Sequence, residues 1–180
     1  MKDSTKKEVY SWIKTIVVAA LIALICRHFL FTPVTVYGKS MEPTFQENNR
    51  VVVSKTSEIG RFDIIVFKAP DRDEQYIKRV IGMPGDRVEM QDDVLYVNGN
   101  PYEESYIKGK DEAGVNRITG NFTLDELTGT TIVPEGYFFV LGDNRLKSKD
   151  SRDFGFISAD AVVGKVKFRF FPFEKMGMPK

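Results

Sequence analysis

Cysteine and histidine are almost absent from this 180-residue chain, in which Cys26 and His28 are the only examples. Because a single cysteine cannot close an intrachain disulfide, the cysteine content gives no indication of the redox compartment. Residues 32–180 contain neither type, which argues against a Ser-His-Asp triad, a Cys-His dyad or a Cys/His zinc site there. Hydrolytic chemistry in this part of the chain would use serine, lysine, aspartate, glutamate or tyrosine. We predict neither a metal site nor a cofactor.

A basic excess is missing as well. The 26 lysine and arginine side chains are balanced by 25 aspartate and glutamate side chains, which gives a net charge of +1. Nucleic-acid-binding proteins normally carry a clear basic excess, so we predict no nucleic-acid partner. The length suits one domain of ordinary size, and no internal repeat is present.

One long apolar run is present, near the N-terminus. Residues 15–25 (TIVVAALIALI) are continuously apolar after the threonine. A membrane span takes about 20 residues, and residues 12–31 reach this length if Lys14 and Arg27 extend to opposite interfaces. A cleaved signal peptide is the alternative, since it also has a basic start and a short apolar core. No small-x-small cleavage site directly follows this core, which favours an uncleaved anchor.

The charges around the apolar run predict its orientation. Residues 1–31 carry five basic and two acidic side chains, and most of the basic ones precede the run. Basic flanks stay on the cytoplasmic side of a membrane. We therefore predict that residues 1–31 are a cytoplasmic tail and a transmembrane anchor at the cell membrane. Residues 32–180 are predicted to form an extracytoplasmic domain.

Short β-type segments dominate that domain. β-Branched runs bounded by polar breaks predict buried strands, and alternation of apolar and polar residues predicts half-buried ones. The predicted segments are an extended piece at 33–37, strands at 50–54, 63–68, 75–81, 137–141 and 161–170, and a hairpin over 87–97. Residues 101–131 are predicted to be a loop-rich insertion with a short helix or turn near 124–127. The predicted fold class is mainly β, an N-terminal transmembrane helix followed by folded sheets or a partial barrel.

A serine lies in a turn shortly after the apolar run. Residues 38–45 (GKSMEPTF) begin with a glycine, and Pro43 prevents a helix from continuing through them. Ser40 is either a nucleophile held near a membrane surface or an ordinary turn serine. A phosphate-binding loop is rejected, because that motif needs a glycine where Pro33 stands.

A lysine interrupts the apolar strand predicted at 75–81. Strand alternation places Tyr76 and Val80 on the same face as Lys78. If that face is dry, burial lowers the lysine pKa from about 10.4 toward neutrality, and a neutral lysine can act as general base for a serine. If the face is solvated, the lysine is an ordinary surface residue. The strand alone leaves both interpretations open.

The loop at 142–155 (GDNRLKSKDSRDFG) is dense in aspartate, asparagine, arginine and serine. One interpretation is a well-capped loop in which carboxylates and amides accept backbone N–H bonds. The other is a set of ion pairs that fix the surroundings of a catalytic group. The loop alone does not choose between them.

Together these segments resemble the type I signal peptidases, membrane-anchored serine proteases that remove signal peptides from exported proteins. The resemblance covers nearly the whole chain. It rests on the apolar anchor followed by GKSMEPT, RFDIIVF, YIKRVIGMPGD and GDNRLKSKDSRDFG in family order. The compact size and single anchor are similar to the enzymes of Gram-positive bacteria such as bacilli.

The resemblance implies a Ser-Lys dyad in which Ser40 is the nucleophile and Lys78 the general base. It also implies that Ser148 hydrogen-bonds and orients the lysine amine. Two supporting ion pairs would hold the lysine strand and the loop in place, namely Asp143 with Arg79 and Asp150 with Arg152.

The oxyanion would be met by the backbone N–H of Ser40. Family members with a serine two residues before the nucleophile also use its hydroxyl. Gly38 stands at that position here, which leaves the second donor open.

Substrate binding follows from the same resemblance. A preprotein would add as an extended segment to an exposed strand edge, with small residues at the first and third positions before the cut entering two shallow pockets. The pocket walls would be formed by Val34, Val36, Met41 and Ile77. The anchor would hold the site at the lipid surface, close to the secretion machinery.

Two other functions share part of this pattern. A self-cleaving repressor fragment shares the Ser-Lys dyad, but the anchor and the lack of a DNA-binding module speak against it. A catalytically inert, membrane-tethered module that binds extended peptides would need neither Ser40 nor Lys78.

Overall fold

The computed structural model describes residues 2–107 and 118–179. The first half contains α1 (Lys2–Phe29), β1 (Phe31–Thr35), β2 (Arg50–Ser54), β3 (Ile64–Lys68), β4 (Gln75–Gly82), β5 (Val88–Gln91), β6 (Val94–Val97) and β7 (Asn100–Tyr102). The second half contains β8 (Phe122–Thr123), α2 (Leu124–Thr128), β9 (Tyr137–Leu141), α3 (Ser151–Phe154), β10 (Ile157–Ser158) and β11 (Val162–Phe171). Single 3₁₀ turns follow β10 and β11.

The larger sheet has seven strands in the order β1-β2-β11-β3-β4-β9-β10, and its neighbouring strands pair antiparallel. Its inner strands β2, β3 and β4 are the β-branched segments that the sequence predicted. Strand β4 lies between β3 and β9, and all its residues from Ile77 onward are buried. Both edges of β4 are therefore paired within the sheet, and most of its side chains are shielded from water.

The smaller sheet has the order β7-β6-β5-β8. The predicted hairpin is confirmed, since β5 pairs with β6 across Asp92 and Asp93, both of which have positive φ. A second tight turn at Asn98 and Gly99 also has positive φ at both residues, which the right-handed twist of a two-residue hairpin requires. It leads into β7.

Buried side chains join the two sheets. Ile81, Phe139 and Leu141 of the larger sheet belong to one apolar cluster with Met90 and Leu95 of the smaller sheet. Burying each of these large side chains contributes about 1.5–3 kcal/mol. The smaller sheet is therefore fixed against β4 and β9, the strands that carry or precede most of the predicted site residues.

The predicted mainly β fold is confirmed as two folded antiparallel sheets. The short helix expected near 124–127 is α2, which begins with a capping box between Thr123 and Glu126. Part of the predicted insertion at 101–131 forms β7, β8 and α2, while residues 108–117 lie outside the described residues. The helix α3 was not predicted.

The N-terminal region departs from the prediction in two ways. Strand β1 begins at Phe31, inside the segment predicted as anchor, because it pairs with β2 from Phe31↔Ser54 onward. The preceding residues form the single helix α1, but the predicted transmembrane character is not supported. Within the described residues, we find no helix that combines the length and the apolarity needed for a membrane crossing.

Candidate active site

Ser40 lies in a turn between β1 and β2 that is held from below by apolar side chains. Met41 and Phe45 are fully buried, and the amide of Phe45 donates to the carbonyl of Met41 at 2.8 Å. Gly38 has a φ of +75°, a conformation that glycine adopts without strain. The turn thus places a half-buried serine beside the sheet.

Lys78 projects from β4 toward that serine. Its Nζ lies 2.8 Å from Ser40 Oγ and donates to the Ile77 carbonyl at 3.1 Å. The residue is only 3% exposed, and its amine lies 5.2 Å from the centre of the Tyr76 ring. The interpretation of this lysine as an ordinary surface residue is therefore wrong.

Burial lowers the pKa of Lys78 from 10.5 to about 8, because a charged amine loses hydration inside the protein. The negative charges of Asp150 and Asp143 oppose this shift. A substantial fraction of the amine is therefore neutral in mildly alkaline solution and has a lone pair that can accept a proton from the serine hydroxyl.

The predicted pair of Arg79 and Asp143 is present and bidentate. Arg79 Nε donates to Oδ1 at 2.9 Å and Nη2 donates to Oδ2 at 2.7 Å. Thr44, four residues after the serine, donates its hydroxyl to the same carboxylate at 2.5 Å. Arg79 also donates to the carbonyl of Phe62. These bonds join β4, the loop after β9 and the serine turn at one buried carboxylate.

The second predicted pair, Asp150 with Arg152, is also present. Arg152 Nε and Nη2 donate to the two carboxylate oxygens of Asp150 at 2.8 and 2.9 Å. The same carboxylate caps α3 and accepts the backbone N–H of Gly142 at 3.0 Å. It therefore closes the 142–155 loop on itself.

Ser148 does not make the predicted bond to the lysine amine. Its Oγ is buried and has no hydrogen-bond partner among the described residues, because Lys78 Nζ is directed at Ser40 Oγ and the Ile77 carbonyl instead. The hydroxyl nevertheless lies in the site. A Cβ added to Gly142 would come within 2.1 Å of Ser148 Oγ and 2.5 Å of the Ser40 carbonyl oxygen.

The loop also binds the serine turn through Asn144, a residue to which the sequence analysis assigned no role. Its backbone N–H donates to the Ser40 carbonyl and its Nδ2 donates to the Lys39 carbonyl, both at 3.0 Å. Thr44 was missed as well, although it stands inside the GKSMEPT motif. Thr44 lies in the GKSMEPT motif and Asn144 in the GDNRLKSKDSRDFG motif, so their places in these motifs are the signal that could have identified them.

A cleft of about 1030 Å³ opens onto the dyad. Its walls include residues 32–40 and 72–78, with Val66, Lys68, Lys147 and Lys149, and Val34, Val36 and Ile77 are among the lining residues as predicted. Met41 is different. It is 1% exposed and does not line the cleft, because it packs in the apolar cluster beneath the turn.

The sequence matches known proteins over nearly its full length. Residues 9–171 match the model of a family described as signal peptidase, peptidase S26. The chain is 50% identical to signal peptidase I of Bacillus caldolyticus, with 88% of this chain and 89% of that protein covered. It is 44% identical to signal peptidase IB of Staphylococcus aureus strain COL, with 94% and 93% covered.

A solved structure is similar too. The crystal structure of a signal peptidase I from Enterococcus faecalis V583 is 43% identical and superposes with a TM-score of 0.56. The match covers 61% of this chain and 97% of that one.

Proposed function

The chain belongs to the signal peptidase family, peptidase S26, and we propose that it cleaves signal peptides from preproteins with Ser40 as nucleophile and Lys78 as general base. The observation that carries the assignment of the dyad is the 2.8 Å contact between Lys78 Nζ and Ser40 Oγ in a buried setting. Family membership sets aside both the self-cleaving repressor and the inert peptide-binding module.

The reaction follows from the two protonation states of Lys78. In its neutral form the amine takes the Ser40 proton while Oγ attacks the scissile carbonyl carbon. The resulting ammonium gives that proton to the leaving amine as the peptide bond breaks. A water molecule then hydrolyses the acyl-enzyme, again with Lys78 as the base. Asp143 and Asp150 favour the transient ammonium by their charge.

The remaining site residues act by positioning. The carboxylate of Asp143 holds Arg79 beside the lysine, and Asp150 with Arg152 holds the loop that grips the serine turn. We propose that Ser148, whose hydroxyl is buried next to Gly142, turns to the lysine amine once the Ser40 proton has moved. The backbone N–H of Ser40 is the proposed oxyanion donor.

The cleft suits an extended substrate segment. Strand β1 is at one edge of the larger sheet and lines the cleft together with β4. A peptide that adds to a sheet edge sends alternate side chains to the same side. The first and third residues before the cut would therefore both face Val34, Val36 and Ile77, and these walls favour small side chains.

We further propose that α1 attaches the enzyme to the cell membrane, with the lysine-bearing N-terminus in the cytoplasm and residues 32–180 outside. Large apolar side chains are exposed along the helix, among them Trp12, Ile16, Leu21 and Leu24. Lipid would cover these side chains and place the cleft near emerging preproteins and the secretion machinery. Protease treatment of intact cells tests the topology. Digestion of residues 32–180 from outside is expected, and full protection of this domain would overturn it.

The function is tested by incubating the full chain in detergent micelles with a preprotein. The wild type is expected to release the mature protein, and Ser40→Ala to release none because no nucleophile remains. Ser105→Ala, at an exposed serine, is the matched control and is expected to cleave normally. Normal cleavage by Ser40→Ala would exclude Ser40 as the nucleophile.

A further inference from the structure

A tyrosine outside the predicted site packs directly on one of its arginines. The ring of Tyr106, in the segment that follows β7, lies under the guanidinium of Arg79 with 3.8 Å between Cζ and the ring centre. Arg79 is the neighbour of Lys78 on β4 and the partner of Asp143. The aromatic face therefore fixes the plane of the guanidinium that neutralises Asp143.

The hydroxyl of the same tyrosine connects to a second arginine. Tyr106 Oη donates to Glu104 Oε1 at 2.6 Å, and Glu104 forms an ion pair with Arg145 in the loop after β9. Both members of this pair are almost completely buried. Arg145 Nε donates to the Gly142 carbonyl at 3.0 Å, and its own carbonyl accepts Arg152 Nη2 at 2.8 Å.

The Tyr106–Arg79 contact and the Glu104–Arg145 ion pair both act on the segment Gly142–Asp143. Arg79 binds the side chain of Asp143, and Arg145 binds the carbonyl of Gly142, the preceding residue. A buried ion pair of this kind is weak evidence for stability, because desolvation offsets much of its attraction. The ion pair does, however, set the position of the groups that it joins. Tyr106 and Glu104 together fix the loop that lies against both Ser40 and Lys78.

We propose that Tyr106 and Glu104 are positioning residues of the Ser-Lys dyad, acting through Arg79 and Arg145 on the Gly142–Asp143 segment. Neither residue lines the cleft. They are thus expected to affect the rate of the chemical step and the proton affinity of Lys78 without affecting substrate binding. The proposal rests on the proposed dyad.

The direction of the effect follows from the charges near Lys78. These are the carboxylates of Asp143 and Asp150, which raise its pKa, and their partners Arg79 and Arg152. The Tyr76 ring also lies against the amine, and Lys39, Lys147 and Lys149 line the same cleft. If the stack on Arg79 is lost, the guanidinium is held less firmly on Asp143, and that carboxylate acts more strongly on the amine. The pKa of Lys78 then rises, and activity requires a higher pH.

The test compares Tyr106→Leu with Tyr106→Phe in the full chain, using a preprotein substrate and measuring kcat and KM across pH. Tyr106→Leu removes the ring face and is expected to lower kcat about tenfold, as small displacements at reacting groups do. Its KM is expected to remain unchanged, and its alkaline rise in kcat to move to higher pH. Tyr106→Phe keeps the ring and is expected to retain the wild-type pH profile with a smaller loss of kcat.

Tyr102→Leu is the matched control. Tyr102 also packs on an arginine, Arg61, but that arginine pairs with Asp86 and not with the dyad loop. Its substitution is expected to lower the melting temperature while leaving the pH profile in place. The proposal is overturned if folded Tyr106→Leu has the wild-type pH profile, or if Tyr102→Leu shifts the profile equally.

If Tyr106→Leu does not fold, Tyr106→Met is measured in the same way, since it retains side-chain length without a ring. Its pH profile is then compared with those of the wild type and Tyr102→Leu. A wild-type profile for Tyr106→Met contradicts the proposal. Glu104→Gln, expected to lower kcat at constant KM, checks the second branch. Ser40→Ala separates this test from the function itself, since only a failure of the dyad assignment would leave that variant active.

Discussion

Lys78 Nζ and Ser40 Oγ lie 2.8 Å apart, although their residues are 38 positions apart in the chain. The lysine comes from an inner strand of the larger sheet and the serine from a turn beside the sheet edge. Because β4 is paired on both sides and the turn is held by the buried side chains of Met41 and Phe45, the contact is built into the fold before substrate binds. Preorganisation of this kind lets a weak nucleophile be activated without further ordering.

The activity should rise with pH through an apparent pKa of about 8, the value to which burial lowers the pKa of Lys78. Below this pH the amine carries a proton and cannot take another from Ser40; above it the neutral base dominates. The measurement is kcat as a function of pH with a preprotein substrate. A profile that rises only near the pKa of free lysine, about 10.4, would contradict a depressed lysine.

Lys78→Met should be more stable than the wild type at neutral pH, although it is inactive. The folded state has a lowered lysine pKa, so it binds fewer protons than the unfolded chain between pH 8 and 10.5. The free energy of unfolding of the wild type therefore rises with pH across this window. Below the window the buried amine is charged, and its burial lowers the stability of the wild type by about 3 kcal/mol. The free energies of unfolding of the two proteins should converge above the window.

Lys68→Met is the control for this comparison. Lys68 is exposed at the end of the adjacent strand β3. Its replacement should change the free energy of unfolding little and equally at all pH values. A gain in stability as large as that of Lys78→Met would mean that added apolar surface, and not the buried amine, causes the effect.

Gly142→Ala should abolish most activity. The added methyl group would meet Ser148 Oγ and the Ser40 carbonyl oxygen at 2.1 and 2.5 Å, so the loop or the serine turn has to move. Such a shift separates the nucleophile from its base. Gly60→Ala is the control, since the nearest atom to its added Cβ is a carboxylate oxygen at 3.4 Å. Equal kcat values for the two variants would show that the site tolerates this displacement.

The sequence predicted the parts of the site that lie in compact motifs. The turn around Ser40 and the strand around Lys78 each carry their pattern locally, in a proline and glycine turn and in β-branched alternation. Their meeting could not be derived from either pattern. It depends on β4 lying third from one end of a seven-stranded order, which no local pattern encodes.

Glu104 and Tyr106 show why the residues that support the site from outside the cleft could not be predicted from the sequence. Glu104 and Tyr106 belong to a stretch in which no hydrophobic period persists, so no local pattern distinguishes them from loop residues. Their proposed role comes from two contacts with other elements: Tyr106 packs on Arg79, 27 positions earlier, and Glu104 pairs with Arg145, 41 positions later. Long-range contacts of this type are visible only once the two sheets are assembled.

Substrate selection should respond to the cleft wall and not to the core beneath it. Ile77→Ala shortens a wall of the cleft beside Lys78. It is therefore expected to increase cleavage of preproteins with a larger residue at the third position before the cut, relative to those with alanine there. The measurement is the ratio of kcat/KM for two such substrates, because this ratio reports discrimination and cancels a general loss of activity.

Met41→Ala is the matched comparison. Met41 and Ile77 belong to the same buried apolar cluster, but only Ile77 also lines the cleft. It should lower the free energy of unfolding by about 2–5 kcal/mol through the cavity it leaves. The ratio of kcat/KM values should stay as in the wild type. If Met41→Ala changes the ratio as much as Ile77→Ala does, the pocket is shaped by the packing of the serine turn, and the cleft wall alone does not set specificity.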